Sequence, residues 1–403
     1  MVRWTEPYRS ALRVAPFRTL LLGQGLSMAG DAVCLAALPI ALLDAGLGAG
    51  VFGLVMAAVG LGTVVGAAAG GGLADRRSPR RLLAATDAWR GLLQLVATGL
   101  LVGAAPWCSL LPVYLLFGVA IGVARPCGQV LLASLLPKEA LVAGNGALNF
   151  VDSLAALVLP ATLGFVLVPW DAVWGVLFDG LSFGVAAVVT TRLPEAGARH
   201  ERGRDSRPRR EALVGLRAIA SNAVLARGLA ATLAVGVLGF PIFLVVAPYA
   251  VAARFDAALW GLCLAASGLG ACLGSIGVVL LGAAQRRPIA LAAGATLLLG
   301  AAMALLGFGA SAPSVVLGAA LVGGVEAAWL TAWATALQTL APPRHLGKVV
   351  AGDALVTSGA QPLAYAGCGW LGGLIDPAEM LLLAAGACAV AGLALAMGAR
   401  ASR

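Results

Sequence analysis

The chain has 403 residues, 61% hydrophobic and 11% charged, with a mean hydropathy of +0.96 and a net charge of +9. A water-soluble fold of this length cannot hide so much apolar surface, so the solvent is a bilayer. The apolar runs are continuous, not alternating, which excludes a β-barrel and leaves polytopic α-helices that satisfy their own backbone groups in lipid.

Met1 to Pro16 is polar and basic, and the first apolar run is too long for a cleavable leader, so it reads as the first membrane helix. Spans are expected at roughly 18–43, 51–73, 82–104, 109–131, 141–168, 172–191, 224–248, 257–282, 288–308, 314–338, 347–374 and 378–398. Every Lys and Arg except Arg254 then falls in a cytoplasmic loop, a tail or a span. This places both termini in the cytoplasm of a multi-pass protein of the cell membrane. The basic loops face anionic lipid, and no nucleic acid is needed to explain the charge.

Carboxylates inside lipid are costly, about 2.5–3.5 kcal/mol at a helix centre, and each must face a cavity, pair, or carry a proton. The first span holds Asp31, the leading candidate for proton coupling. Span 2 carries a seam of small residues, Gly60, Gly62, Gly66 and Gly70. In span 3, Asp87 and Arg90 are spaced to pair on one face. Arg125 lies deep in span 4 and needs a carboxylate or water, which makes it a cavity candidate. Span 5 sets Asn149 one turn before Asp152, a candidate cavity wall with a second coupling carboxyl. Asp179 in span 6 reads as structural.

Arg192 to Asn222 has no apolar core and reads as a cytoplasmic linker, with a short amphipathic helix from Glu211 to Ala220 lying on the membrane. Pro241 and Pro248 in span 7, with Pro160 and Pro362 in spans 5 and 11, are expected to bend their helices. Span 8 repeats span 2: Gly53 to Gly62 reads again as Gly261 to Gly270, and Gly66 recurs as Gly274. The fold class expected is therefore an all-α membrane protein of twelve transmembrane helices in two pseudo-symmetric six-helix bundles. Its parts are an N-terminal bundle 1–191, the linker 192–222 and a C-terminal bundle 223–403. Glu326 in span 10 shares a helix face with Trp329 and Trp333, a third coupling carboxyl beside two indoles able to hold a cation. Asp353 in span 11 is expected to cap or pair near the inner end. Trp107, Trp170, Trp174, Tyr249 and Trp260 fall near the outer boundary, where an aromatic belt is expected.

The seven cysteines form no paired spacing, and His200 and His345 lie in loops, so neither a disulfide framework nor a metal site is expected. No nucleotide-binding glycine loop is present, which disfavours an ATP-driven pump. Nor is there a nucleophile–base set in the spans, so the chain does not read as an enzyme.

The loop from Gly71 to Arg81 joins spans 2 and 3. It resembles the loop at the same place in transporters of the major facilitator superfamily, Gly-x-x-x-Asp-Arg-x-Gly-Arg-Arg. Gly71, Asp75, Arg76 and Arg80 match; Ser78 and Pro79 depart. Further matches are Phe17-Arg18, Gly23-Gln24, Ser27, Gly30-Asp31, Thr86-Asp87 with Arg90, Arg125-Pro126, and Phe178 to Phe183. Together they are similar to the exporter branch that includes macrolide-efflux and enterobactin-efflux proteins. The resemblance implies a twelve-span fold working as a monomer and export of a small amphipathic molecule in exchange for protons. It implies no cofactor beyond the proton gradient. It makes Gly71, Asp75, Arg76 and Arg80 a gating latch. Leu159 to Gly164 keeps only the proline and last glycine of the antiporter pattern in span 5. The equivalent second-half loop, Gln285 to Pro288, lacks the Asp. An uptake symporter or lipid transporter of the same fold is the alternative, and a non-transporting receptor or scaffold is the rival of another class.

Overall fold

A computed structural model describes residues 6–137, 140–167, 171–195, 208–281, 288–340 and 346–401. These residues are almost wholly helical. A short helix α1 (Glu6–Arg13) leads into α2 (Ala15–Asp44), α3 (Ala49–Arg76) and α4 (Pro79–Val102). After a 3-10 turn at Trp107–Ser109 come α5 (Leu110–Leu135), α6 (Leu141–Leu167) and α7 (Val173–Thr191). The linker region contributes α8 (Pro208–Ser221). Then follow α9 (Ala223–Leu238), α10 (Phe240–Ala252), α11 (Ala258–Leu281), α12 (Pro288–Phe308), α13 (Ala312–Leu340), α14 (Leu346–Gly372) and α15 (Pro377–Ala401).

Helix starts follow from short polar side chains that accept orphan backbone N–H groups. Ser78 accepts from the Arg81 N–H at 3.4 Å, with Pro79 in the first turn of α4. The two residues that depart from the superfamily loop are thus a cap and its proline. Asn222 caps α9 by accepting from Val224 and Leu225, and Asp171, Asp256 and Asp376 do the same before α7, α11 and α15. The expected seventh span is broken, because Gly239 lies between α9 and α10 and Pro241 sits in the first turn of α10. A proline has no N–H to continue the ladder, so the break falls just ahead of it.

Among the described residues, nine stretches are long and apolar enough to cross a membrane, α9 and α10 counting as one. Helices α4, α6 and α14 have the length, at 24, 27 and 27 residues, but are not among the nine. In α4, Asp87 and Arg90 interrupt the apolar run.

Two compact units emerge, residues 1–47 with 58–201, and 48–57 with 202–403. In the first, α2 packs on α7 and α6, and α4 packs on α7 and α5. The second repeats the scheme: α9 and α10 pack on α15 and α14, and α12 packs on α15 and α13. The repeated glycines explain the remaining pair in each unit. A Cβ at Gly62 or Gly66 would overlap the carbonyl oxygens of Leu115 and Val119 on α5, and one at Gly270 or Gly274 would overlap those of Ala320 and Gly324 on α13. Backbones touch there, the way helices associate in lipid where no hydrophobic force draws them together.

The linker helix is present and longer than expected. It rests on protein as well as on any lipid: Gly215 lies against the Lys348 backbone of α14, and Ile219 is buried. Leu213 and Arg217 remain exposed. Of the residues expected in an aromatic belt, Trp107 and Trp174 are exposed. Tyr249 and Trp260 are buried instead, Trp260 packing at a tilt 5.2 Å from the Phe243 ring, because an indole fills core volume as readily as it seats at an interface. Trp170 lies outside the described residues.

Candidate functional site

In the first unit, α2, α4, α5 and α7 enclose a polar cluster. Asp87 and Arg90 form the i, i+3 ion pair that their spacing predicts, and both are buried. The Arg90 guanidinium also lies 4.2 Å from the centroid of the Phe183 ring, which attracts it by its π-face. One turn along α4, Gln94 donates its amide to Asp179 Oδ2 of α7 and approaches Cys34 Sγ of α2 at 3.3 Å. Ser182 Oγ donates to the Asp179 carbonyl at 2.8 Å. Phe117 meets Phe183 edge-on at 5.8 Å and closes the cluster from α5.

Asp31 stands beside this cluster, within electrostatic reach of Arg90, Asp152 and Asp87. Unlike its buried neighbours, it is exposed, as are Asn149, Asp152 and Arg125. The four polar groups thus keep an open surface on helices α2, α5 and α6.

Three of the expected latch residues, Gly71, Asp75 and Arg76, fall on the end of α3, whose side-chain surroundings lie outside the described residues. Arg80 is described, and it closes the far end of α7. It donates to the carbonyls of Thr191 at 3.2 Å and Leu193 at 2.7 Å, and pairs with Glu195 at 3.0 Å; Arg81 joins the same carboxylate at 2.8 Å. A cation on the orphan carbonyls of a helix C-terminus is favourable. Arg254, the lone basic residue expected outside, does likewise for α12 through the Gly307 carbonyl at 2.6 Å. Arg80→Ala is expected to lower thermal stability by about 1 kcal/mol, the net worth of such bonds. Thermal unfolding of the detergent-solubilised chain checks this; an unchanged midpoint would make the cap inert.

In the second unit, Glu326 is half-buried on α13, with Tyr365 of α14 within electrostatic reach and Gln361 hydrogen-bonded to that phenol. No ion pair reaches it among the described residues. The two indoles expected to wall a cavity with it do not. Trp329 is 2% exposed and Trp333 5%. They stack at 6.1 Å; Trp329 Nε1 donates to Thr232 Oγ1 at 3.1 Å, Trp333 Nε1 donates to Asp353 Oδ1 at 2.9 Å, and Gly228 lies against the Trp333 ring. Their faces and their N–H groups tie α13 to α9 and α14. Asp353, expected to cap or pair, accepts the indole. Trp333→Phe should cost about 1–2 kcal/mol, since it strands that carboxylate; a thermal midpoint equal to wild type would refute this.

Sequence reasoning missed Gln94, Cys34 and Tyr114 in the first unit, and Thr232, Gln361 and Tyr365 in the second. Gln94 alone left a trace, falling seven residues after Asp87 and four after Arg90 on one helix face. The others are joined across helices, which no spacing along the chain reveals.

The description of the Major Facilitator Superfamily matches residues 20–365, most of the chain. This chain belongs to the Major Facilitator Superfamily. Solved structures agree in fold. The nucleoside transporter NupG superposes with a TM-score of 0.77 at 14% identity, covering 95% of this chain and 98% of NupG. A bacterial homologue of the iron transporter ferroportin, in an inward-facing state, gives 0.69 at 18% identity over 97% of this chain and 99% of that one. A bacterial homologue of the human lysosomal transporter Spinster, inward-facing and unoccupied, gives 0.68 at 15%, over 98% and 96%. No curated protein matches the chain in sequence. Superfamily membership makes it a multi-pass membrane transporter with a small-molecule substrate.

Proposed function

We propose that this superfamily member is a secondary active transporter of twelve spans in two six-helix bundles. It exports a small amphipathic compound, of the antibiotic or siderophore kind, by alternating access in exchange for protons. It works as a monomer in the cell membrane, both termini cytoplasmic, with the proton gradient as its energy source and no cofactor. The observation that carries this reading is Asp31. It is a carboxyl on a membrane-spanning helix, exposed, beside a buried Arg90 whose charge Asp87 already engages. A carboxyl in that position can load a proton from one side and release it to the other as water access alternates. Asp152 shares its field and Asn149 and Arg125 are exposed with it, which supplies polar groups for a substrate. Glu326 gives the second unit a carboxyl that no ion pair reaches among the described residues. The export direction is supported by the residues that resemble the efflux branch.

The test is growth of cells lacking their own efflux pumps against a panel of macrolides, other cationic amphipaths and siderophores. The wild-type chain should protect against at least one class, and Asp31→Asn, at equal membrane abundance, should not. Equal protection by the variant would remove Asp31 from coupling. Accumulation of the compound instead of protection would reverse the direction.

A further inference from the structure

We propose that Asp179 is a second proton-carrying residue, exchanging its proton with Asp31 inside the first unit. This rests on the proton-exchange reading above and extends it from one carboxyl to a pair. Asp179 is fully buried, yet its Oδ1 has no hydrogen-bond partner among the described residues; Oδ2 accepts from Gln94, and the Cys34 thiol also bonds to the carboxyl group. Arg90, the buried cation among the described residues, is paired with Asp87 and stacked on Phe183. An ionised Asp179 would therefore be a second buried carboxylate sharing one cation with Asp87, an arrangement costly in lipid. A proton on Oδ1 removes that charge and turns the bare oxygen into a donor.

Geometry places this oxygen against Gly30, the neighbour of Asp31 in the chain. A Cβ on Gly30 would lie 2.5 Å from Asp179 Oδ1, so the oxygen rests on span 1 at the residue before Asp31. Asp31 and Asp179 act on one another electrostatically. Two further buried groups bring unpartnered polar atoms to the same neighbourhood. They are Gln94 Oε1, on the amide that holds Asp179, and the Tyr114 hydroxyl, within electrostatic reach of Cys34 and Asp179. The charged and titratable groups facing the pair are Cys34 on α2, Asp87 and Arg90 on α4, Tyr114 on α5 and Asp152 on α6.

The step balances simply. The O–H bond of protonated Asp31 breaks, an O–H bond forms at Asp179 Oδ1, and the negative charge moves to Asp31, the exposed member of the pair. The reverse step reloads Asp31. Nothing is oxidised or reduced, and Arg90 stays charged throughout, near both carboxyls. A merely structural Asp179 would keep one protonation state whatever Asp31 did.

Infrared difference spectroscopy of the full chain in nanodiscs, stepped in pH, decides between these. The wild type should show a protonated-carboxyl band that Asp179→Asn removes. Asp31→Asn should shift the pH midpoint of that band by about one unit or more, the mark of two interacting sites. Asp179→Glu should restore a titrating band. If Asp179→Asn is poorly folded, the Asp31→Asn shift still decides, because that side chain is exposed. A spectrum unchanged by Asp179→Asn, or a midpoint indifferent to Asp31→Asn, overturns the proposal. Proton release from everted vesicles on adding ethidium tests the exchange reading separately. Its failure there would not alter the band, so the two ideas fail independently.

Discussion

Arg90→Leu is expected to destabilise the folded chain by about 3–5 kcal/mol, the usual consequence of leaving a buried charge without its partner. Asp87 is fully buried, its Oδ1 held by Arg90 and its Oδ2 without any partner among the described residues. Removing the guanidinium leaves that carboxylate alone between α4 and its neighbours, and it also takes the cation from the face of Phe183. The double variant Asp87→Leu with Arg90→Leu should recover most of the loss, since two apolar side chains need no compensation. Thermal unfolding in one detergent, with the single and double variants side by side, measures the coupling. A double variant no more stable than Arg90→Leu would show that Arg90 serves the other carboxylates more than Asp87. That outcome would move the electrostatic centre of the unit towards Asp31 and Asp179.

Gly62→Val and Gly270→Val should each abolish most folded protein. Overpacking a side chain against side chains costs about 1–3 kcal/mol. Here the obstacles are the backbone carbonyls of Leu115 and Ala320, which cannot swing aside as a side chain can. Whole helices would have to separate, losing the contact along α3 and α5, or along α11 and α13. Gly99→Ala is the control. Nothing lies within 4 Å of a Cβ there, so a gain of about 0.5–1 kcal/mol is expected from a better helix former. Size-exclusion profiles of fluorescent fusions would report all three. Monodisperse Gly62→Val at wild-type yield would mean the two backbones do not need their close approach. If Gly62→Val failed while Gly270→Val was tolerated, the two halves would differ in the strength of one seam despite sharing its sequence.

Much of the fold was legible because membrane helices write themselves locally. An apolar run of span length satisfies its own hydrogen bonds, so its existence does not wait on the rest of the chain. Helix α2 began and ended within three residues of the expected first span, and the Asp87–Arg90 pair formed as its spacing required. The repeated glycines told that span 2 and span 8 share a role. They did not tell which helix each would meet. The break at Gly239 was half visible: Pro241 announced a disturbance, while the glycine before it took the unusual backbone angles.

The site was less legible, and Trp329 and Trp333 show why. Their spacing put them on one face with Glu326, and that is as far as period can go. Whether a face meets open space or another helix is a fact about the neighbours. Thr232, Gly228 and Asp353 used both indoles for packing. Asp179 is the converse case: its sequence setting reads as structural, and only the bare Oδ1 against Gly30 shows a carboxyl with capacity left over.

The sequence by itself determined that the chain lives in lipid, that it is helical, that its halves echo one another, and which few ionisable residues lie at membrane depth. These follow from composition and from period along one chain, where cause and effect are close neighbours. Only the tertiary structure decided which carboxyls are open, as Asp31 and Asp152 are, and which are enclosed, as Asp87 and Asp179 are. A charge in lipid is governed by what stands across from it, and Arg90, Gln94 and Asp179 meet only when separate helices pack.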